Sequence, residues 1–246
     1  VNDELFCKTI EYAFDFVAEK DVLMTLGLVP TRPDSNYGYI QACGGKDAYK
    51  SEEPMAVKTF TEKPDKELAK IFINTGEFFW NSGILLWKAE TFRHEMEKHL
   101  PQVTGLFKGW ERALGTAIEE EFILRIFTEC PNISINYGVM EKTDMAWMYP
   151  AKFDWQDIGS WESLYNFIPE KDANGNVIGP EKYLVENCKD TLVITPDRKK
   201  KMVAIKGLED FMIIDTDDAL VICPKDDKKF KEFISGIAMP EFEKYR

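Results

Sequence analysis

The chain has 246 residues, with 31 basic and 43 acidic side chains and a formal net charge of −12. This acidic balance excludes a nucleic-acid partner held by a basic face, and an apolar share of 44% excludes a disordered chain. There is neither an apolar run long enough to span a membrane nor a basic-then-apolar leader, so we expect a soluble cytoplasmic protein with no membrane partner.

The first two thirds of the chain alternate between predicted helices and strands. Residues 3–20 form an amphipathic pattern, and residues 22–29 form a continuously apolar one, which is typical of a strand buried on both faces. Further strands are predicted at 37–40, 56–61, 82–87 and 145–149, and further helices at 66–78, 89–100, 106–114 and 119–128. The alternation predicts an α/β, Rossmann-like fold with a mostly parallel, layered sheet flanked by helices.

From about residue 176 the pattern changes to short strands separated by polar turns. The predicted strands are 183–186, 191–195, 202–205, 211–215 and 219–223, followed by a closing helix at 226–236. We therefore expect a catalytic domain at 1–170 and a small β-rich C-terminal domain at 176–246, joined by the polar segment 171–176.

The inventory of reactive side chains is short. The five cysteines form no C-x-x-C pair, and the two histidines, His94 and His99, are spaced so that they do not share a helix face. A Cys/His zinc site and a Ser-His-Asp triad are therefore not expected. The chemistry must rest on carboxylates, lysines, amides and the backbone.

Two candidate sites lie beside the second and third predicted strands. Gly38 has no Cβ and would let the backbone approach a ligand closely, although a simple bend in a strand explains it equally well. Glu62 and Lys63 follow a strand, where a carboxylate suits hydroxyl pairs and an ammonium suits a phosphate. An exposed ion pair between neighbours is the simpler interpretation of these two residues.

Two further candidates stand in aromatic surroundings. Asn81 lies between Trp80 and Ser82, and its amide can both donate to and accept from a sugar hydroxyl, although a turn asparagine is equally plausible. Asp157 lies between two tryptophans just before a predicted helix. Because Ser160 already fills the N-cap role there, Asp157 could instead hold Mg²⁺, which prefers one or two carboxylates together with substrate phosphates.

Taken in order, six segments resemble the sugar-phosphate nucleotidylyltransferases, and most closely the branch that makes GDP-mannose. They are residues 26–33, 37–40, 61–64, 79–84, 135–142 and 155–164. The resemblance implies that GMP is transferred from GTP to mannose-1-phosphate, with Mg²⁺ as cofactor. Because the substrate supplies its own nucleophile, the shortage of histidine fits this chemistry.

The resemblance also implies roles for individual residues. Lys63 and Asp157 would be catalytic, with Lys63 on the sugar phosphate and Asp157 on the metal. The expected substrate-binding residues are Tyr37, Gly38, Glu62, Lys63, Asn81 and Ser82. Apart from the resemblance, the exposed β-rich tail is a reasonable contact for a homodimer.

One departure from the family limits these implications. The family's glycine-rich phosphate loop and a second metal aspartate belong before Val1, so the resemblance implies an N-terminally truncated chain with negligible turnover alone. Two alternatives stay open: transfer to another hexose-1-phosphate, and a non-catalytic, regulatory subunit that binds a sugar phosphate.

Overall fold

The structure is a computed structural model that describes residues 2–197, 199, 201–225 and 230–236. Its contacts divide the chain into two compact units, one ending at Trp155 and the other starting at Gln156. The predicted closing helix is therefore described only from residue 230, and residues 237–246 of the expected C-terminal domain lie outside the described part.

The first unit contains most of the helices. They are α1 (Asp3–Glu19), α2 (Lys66–Thr75), α3 (Ala89–His99), α4 (Pro101–Leu106), α5 (Trp110–Ala113) and α6 (Glu119–Glu129), with a 3-10 segment at Gly45–Lys50 and a π turn at Asn136–Met140. Its strands are β1 (Leu23–Leu28), β2 (Tyr39–Ala42), β3 (Met55–Thr61), β4 (Phe78–Leu86) and β5 (Ala146–Ala151). Each predicted strand of this region is thus present.

Strand β1 lies between two apolar cores because its side chains alternate between the two faces of the sheet. Met24 and Leu26 pack in one core with Ala13 and Val17 of α1. Leu23 packs in the other core, which also contains side chains of the π turn and of β5. All six residues of β1 are buried, which is the reason for its unbroken apolar pattern.

The pairing of the strands corrects the expectation of a mostly parallel sheet. The five strands pair in the order β1-β4-β2-β3-β5, and β5 also pairs with β1. Only the β1–β5 pair is parallel, whereas the other four pairs are antiparallel. Continuous burial indicates that both faces of a strand are covered, and it does not determine the direction of the neighbouring strands. The predicted α/β class itself is confirmed.

The fourth strand begins earlier than the sequence pattern predicts. Helix α2 ends at Gly76, which adopts the left-handed conformation with φ 70°, and β4 starts at Phe78. The predicted helix continued to Phe78 because the aromatic run also fits a helical period. As a result, Asn81 and Ser82 lie inside β4 rather than at its start.

The second unit is built from short strands and confirms the expected β-rich C-terminal region. Its helices are α7 (Trp161–Phe167) and α8 (Phe230–Ser235). Its strands are β6 (Val177–Ile178), β7 (Lys182–Glu186), β8 (Leu192–Ile194), β9 (Met202–Lys206), β10 (Phe211–Asp215) and β11 (Leu220–Pro224). The segment 171–176, expected to link two domains, lies inside this unit, where Asn176 is buried and donates to Asp172 and to the Cys188 carbonyl.

The strands of the second unit form the coils of a short parallel solenoid. Three parallel pairs join residues twenty positions apart, Lys182 with Met202, Lys189 with Glu209, and Leu192 with Met212, whereas β6 pairs parallel with β8 fifteen positions on. The corners repeat at the same spacing, since left-handed backbone occurs at Asn187 and Gly207, and again at Asp190 and Asp210. Strand β11 then pairs antiparallel with β10. Each coil therefore stacks on the previous one in the same register.

Among the described residues, no helix is both long enough and apolar enough to cross a membrane.

Candidate functional site

Three of the predicted site residues meet in the first unit. Gly38 directly precedes β2, and its carbonyl accepts a hydrogen bond of 2.8 Å from the Asn81 backbone N–H in β4. A Cβ built on Gly38 would lie 2.7 Å from Glu62 Oε2 and 3.4 Å from Asn81 Cβ. The structure thus brings Gly38, Glu62 and Asn81 into one place, and a side chain at residue 38 would displace the Glu62 carboxylate.

The side-chain amide of Asn81 is held by two hydrogen bonds. It is buried, and its Oδ1 accepts hydrogen bonds from Thr25 Oγ1 at 2.6 Å and from the Gly83 backbone N–H at 3.2 Å. These two donors fix the orientation of the amide, because an N–H₂ group in that position could not accept. Its Nδ2 donates to no residue in the part of the chain that the structure describes, so this group remains a donor for a ligand.

An irregularity in β4 surrounds Asn81. The register against β1 shifts between Thr25 and Gly27, and Gly83 has a φ of 79°. Ser82 Oγ accepts from the Ile84 backbone N–H at 3.2 Å, so this predicted substrate-binding hydroxyl helps to hold the bulge. Bulges of this kind often redirect side chains next to active sites.

Glu62 and Lys63 form a tight corner at the end of β3. The Glu62 side chain is only 7% exposed, whereas that of Lys63 is 56% exposed, and Lys63 Nζ lies 3.9 Å from Glu62 Oε1. Lys63 has a φ of 44°, a left-handed conformation that costs a residue with a side chain about 1–2 kcal/mol. Because Glu62 is buried, the simple exposed ion pair does not describe this corner.

The Glu62 corner is held by residues that the sequence did not single out. The Glu62 backbone N–H donates to Glu141 Oε1 at 2.8 Å, and Glu62 Oε2 accepts from Asn136 Nδ2 at 3.1 Å. Thr25 is a third such residue, through its bond to Asn81. A lone threonine in an otherwise apolar strand was a visible signal for Thr25. Asn136 and Glu141 lie in the segment 135–142, which carries the family resemblance but in which no site residue was predicted.

The predicted residues Tyr37 and Asp157 make contacts that differ from those of Gly38, Glu62 and Asn81. Tyr37 is buried, and its ring stacks on Trp80 with centroids 4.6 Å apart. Asp157 belongs to the second unit, in the segment before α7, whose N-cap is Ser160 as predicted. A Cβ built on Gly159 would lie 3.1 Å from Asp157 Oδ1, so this glycine leaves space beside the carboxylate.

Comparison with known proteins identifies the class to which the chain belongs. Residues 1–173 match the family model described as Nucleotidyl transferase, and the chain belongs to that family. The mannose-1-phosphate guanylyltransferase of Salmonella montevideo is 34% identical over 247 residues, which cover 95% of this chain and 50% of that protein. The Escherichia coli protein of the same name is 34% identical over 255 residues, covering 100% of this chain and 52% of that protein.

The fold is also similar to that of a solved structure. The crystal structure of a mannose-1-phosphate geranyltransferase from Thermus thermophilus matches with a TM-score of 0.75 and 26% identity, covering 97% of this chain and 66% of that one. The chain spans about half the length of the guanylyltransferases that it matches.

Proposed function

We propose that this protein binds mannose-1-phosphate and transfers GMP from GTP to it, giving GDP-mannose and pyrophosphate. The observation that carries the proposal is the meeting of Gly38, Glu62 and Asn81 at one place. The family of the chain supports it, because the similar proteins from Salmonella montevideo and Escherichia coli are mannose-1-phosphate guanylyltransferases.

The reaction needs little covalent chemistry from the protein. A phosphate oxygen of mannose-1-phosphate attacks the α-phosphorus of GTP, and the bond from that phosphorus to the bridging oxygen breaks, so that pyrophosphate leaves with the electron pair. The substrate brings the nucleophile, and the protein contributes position and charge neutralisation. The short inventory of histidine and cysteine suits such a reaction.

The residues of the first unit take the sugar phosphate. Glu62 accepts hydrogen bonds from sugar hydroxyls, and Asn81 donates through Nδ2 while Thr25 holds its Oδ1. Gly38 leaves room for the sugar ring beside both side chains. Lys63, largely exposed next to Glu62, neutralises the sugar phosphate. Tyr37, which precedes β2, and Ser82 in β4 support this site.

Asp157 is the residue that we propose for Mg²⁺. Among the described residues no group of three or more His, Cys, Asp or Glu side chains could hold a metal. A single carboxylate suits Mg²⁺ because this ion takes its remaining ligands from substrate phosphates and water. When bound, the ion supplies neutralisation of the charge that develops on the phosphates.

We propose that the protein forms a homodimer through the sheet of β7 and β9. Both faces of this two-stranded sheet carry exposed apolar side chains, with Tyr183 57% exposed, Leu184 59% and Met202 62%. A second copy would cover this exposed apolar surface. Light scattering after size-exclusion chromatography should give a dimer for the parent chain and a monomer for Leu184→Lys. A parent monomer would contradict this proposal.

The cysteines suit a reducing compartment. All five are free thiols, and Cys7 and Cys43 are exposed. Exposed thiols persist where glutathione keeps them reduced, so we propose that the reaction takes place in the cytoplasm.

Calorimetric titration with mannose-1-phosphate, glucose-1-phosphate and galactose-1-phosphate tests the substrate. We expect mannose-1-phosphate to bind most tightly, and a preference for another sugar would replace mannose in the proposal. An assay with GTP, mannose-1-phosphate and Mg²⁺ then separates an enzyme from a binding subunit. Turnover would favour the enzyme, whereas binding without turnover is what the resemblance implies for the 246-residue chain alone and fits both alternatives; no binding of any sugar phosphate would overturn both.

A further inference from the structure

The π turn Asn136–Met140 is built into the core on one side and faces the Glu62 corner on the other. Val139 and Met140 are buried in the second apolar core. A Cβ on Gly138 would lie 2.6 Å from Leu100 Cδ1, so the turn packs tightly against this neighbour. π-helical turns are rare, and they occur frequently at functional sites. The core side therefore gives the turn a rigid base.

Three groups from this region contact Glu62, which lies more than seventy residues earlier in the chain. Glu141 Oε1 accepts from the Glu62 backbone N–H at 2.8 Å. Asn136 Nδ2 donates to Glu62 Oε2 at 3.1 Å, and Tyr137 Oη donates to the Glu62 carbonyl at 3.5 Å. The contacts fix the side chain and both backbone groups of one residue.

The orientation of the Asn136 amide toward Glu62 leaves the other end of that amide without a hydrogen bond. An ionised carboxylate only accepts hydrogen bonds, so the amide must turn its N–H₂ group toward Glu62. Asn136 Oδ1 is then buried with no hydrogen-bond partner among the described residues. Because buried polar atoms are nearly always paired, an unpaired one needs an explanation other than packing.

We propose that Asn136 and Glu141 are positioning residues for the sugar-phosphate site. Asn136 holds the Glu62 carboxylate beside Gly38, and Glu141 holds the Glu62 backbone, which in turn keeps Lys63 in its left-handed conformation. This inference rests on the proposed function, in which Glu62 and Lys63 bind the sugar phosphate. Neither Asn136 nor Glu141 needs to touch the substrate for this role.

A matched pair of variants at Glu141 tests the backbone contact. Glu141→Gln keeps a side-chain oxygen that accepts from the Glu62 N–H, whereas Glu141→Met has similar length and no such acceptor. In hydrogen-exchange measurements of the ligand-free chain, the Glu62 amide should exchange at least about tenfold faster in the Met variant and near the parent rate in the Gln variant. Equal exchange in all three proteins would overturn the role of Glu141.

Binding measurements test the effect on the site. Calorimetry should show mannose-1-phosphate binding about tenfold weaker in Asn136→Leu and Glu141→Met, with the parent affinity kept in Glu141→Gln. Asn132→Leu, an exposed position in the preceding loop, is the control and should match the parent. Melting temperatures near that of the parent exclude a general loss of structure.

The outcomes separate this inference from the proposed function. If the parent binds mannose-1-phosphate and both loss variants bind it equally well, the positioning role is wrong and the proposed function stands. If the parent binds no sugar phosphate, the proposed function fails, and the proposed role of Asn136 and Glu141 in substrate binding fails as well. Hydrogen exchange, which needs no ligand, still reports whether the turn holds Glu62.

Discussion

Gly38 shows how one missing side chain can define a site. Its α-carbon lies where a methyl group would meet the Glu62 carboxylate at 2.7 Å, closer than van der Waals contact allows. The backbone of Gly38 is not in the left-handed region. The requirement for glycine at this position is therefore one of space for the carboxylate and the ligand, and it is independent of backbone conformation.

Gly38→Ala should weaken mannose-1-phosphate binding with little effect on folding. The added methyl group pushes Glu62 Oε2 away from its bond with Asn136, and we expect the Kd to rise about tenfold or more. Gly105→Ala is the matched control, because nothing lies within 4 Å of a Cβ at that position. Calorimetry measures both, and parent affinity in Gly38→Ala would show that the site tolerates a side chain there.

Lys63→Ala should reduce affinity for the phosphate part of the substrate. The ammonium lies 3.9 Å from Glu62 Oε1, and removing this positive charge should weaken mannose-1-phosphate binding about tenfold. Binding of methyl mannoside, which has no phosphate, should not change. Lys66→Ala, exposed at the start of α2, is the control lysine. An equal loss for both ligands would mean that Lys63 acts through the fold.

Part of the site was predictable at the level of residues. Gly38, Glu62 and Asn81 each combine a polar or small residue with a strand end or a turn, and the structure places them together. Asn136 and Glu141 lie in the segment 135–142 that carries the resemblance, but their role at Glu62 could not be predicted in the same way. Their contact with Glu62 depends on how a π turn lies against a strand far away in sequence, and no local pattern encodes that packing.

At the level of elements, Tyr165 joins α7 to the turn before β6 and to the corner at Asp190. Its hydroxyl lies 2.7 Å from the Gly175 carbonyl and 3.0 Å from Asp190 Oδ1, and Lys225 Nζ lies 3.4 Å from the ring centroid. Burial, and then the hydrogen bond with Asp190, raise the pKa of Tyr165 to about 12. The protonated phenol is therefore the form that the folded state favours.

This shift predicts a stability component that depends on pH. A phenol whose pKa is raised from 10.0 to about 12 by folding stabilises the protein fully below pH 10, and the contribution disappears as the pH rises toward 12. Tyr165→Phe should be about 1 kcal/mol less stable than the parent at pH 8. Between pH 10 and 12, the free energy of unfolding should fall less in Tyr165→Phe than in the parent, because the variant has no phenol to ionise.

Urea unfolding at a series of pH values measures this difference. Tyr12 also has a pKa raised to about 12, through its hydrogen bond with Glu53, so Tyr12→Phe serves as the comparison. It lies in the first unit, whereas Tyr165 lies in the second. Identical pH profiles for the parent and Tyr165→Phe would contradict the assignment.

The elements themselves were easier to predict than their arrangement. The positions of the first-unit strands follow from apolar runs, but their directions do not, since β1 is equally buried beside an antiparallel and a parallel neighbour. The sequence pattern does not locate the start of β4, because Phe78 to Trp80 fits both a helical and a strand period. In the structure, Gly76 ends α2 in the left-handed region, so the strand can begin soon after it.

At the level of the whole molecule, strands β7 and β8 of the second unit repeat twenty residues later as β9 and β10. Gly207 and Asn187 occupy equivalent corners, with φ of 72° and 53°. Gly207→Ala should cost about 1 kcal/mol, because alanine is strained there, whereas Gly207→Asn should cost less, because asparagine already occupies the same corner one coil earlier. Thermal unfolding measures both variants, and equal losses would show that the corners are not equivalent.

The register of these corners has a consequence for how the chain can change in length. The β7–β9 and β8–β10 pairs and the corners at Asn187 and Gly207 are each separated by twenty residues, whereas β6 and β8 are fifteen residues apart. A duplicated twenty-residue coil after Asp210 would therefore keep the register of the later coil, whereas an insertion that is not a whole coil would shift all later side chains out of their layers. The second unit can thus grow by whole coils.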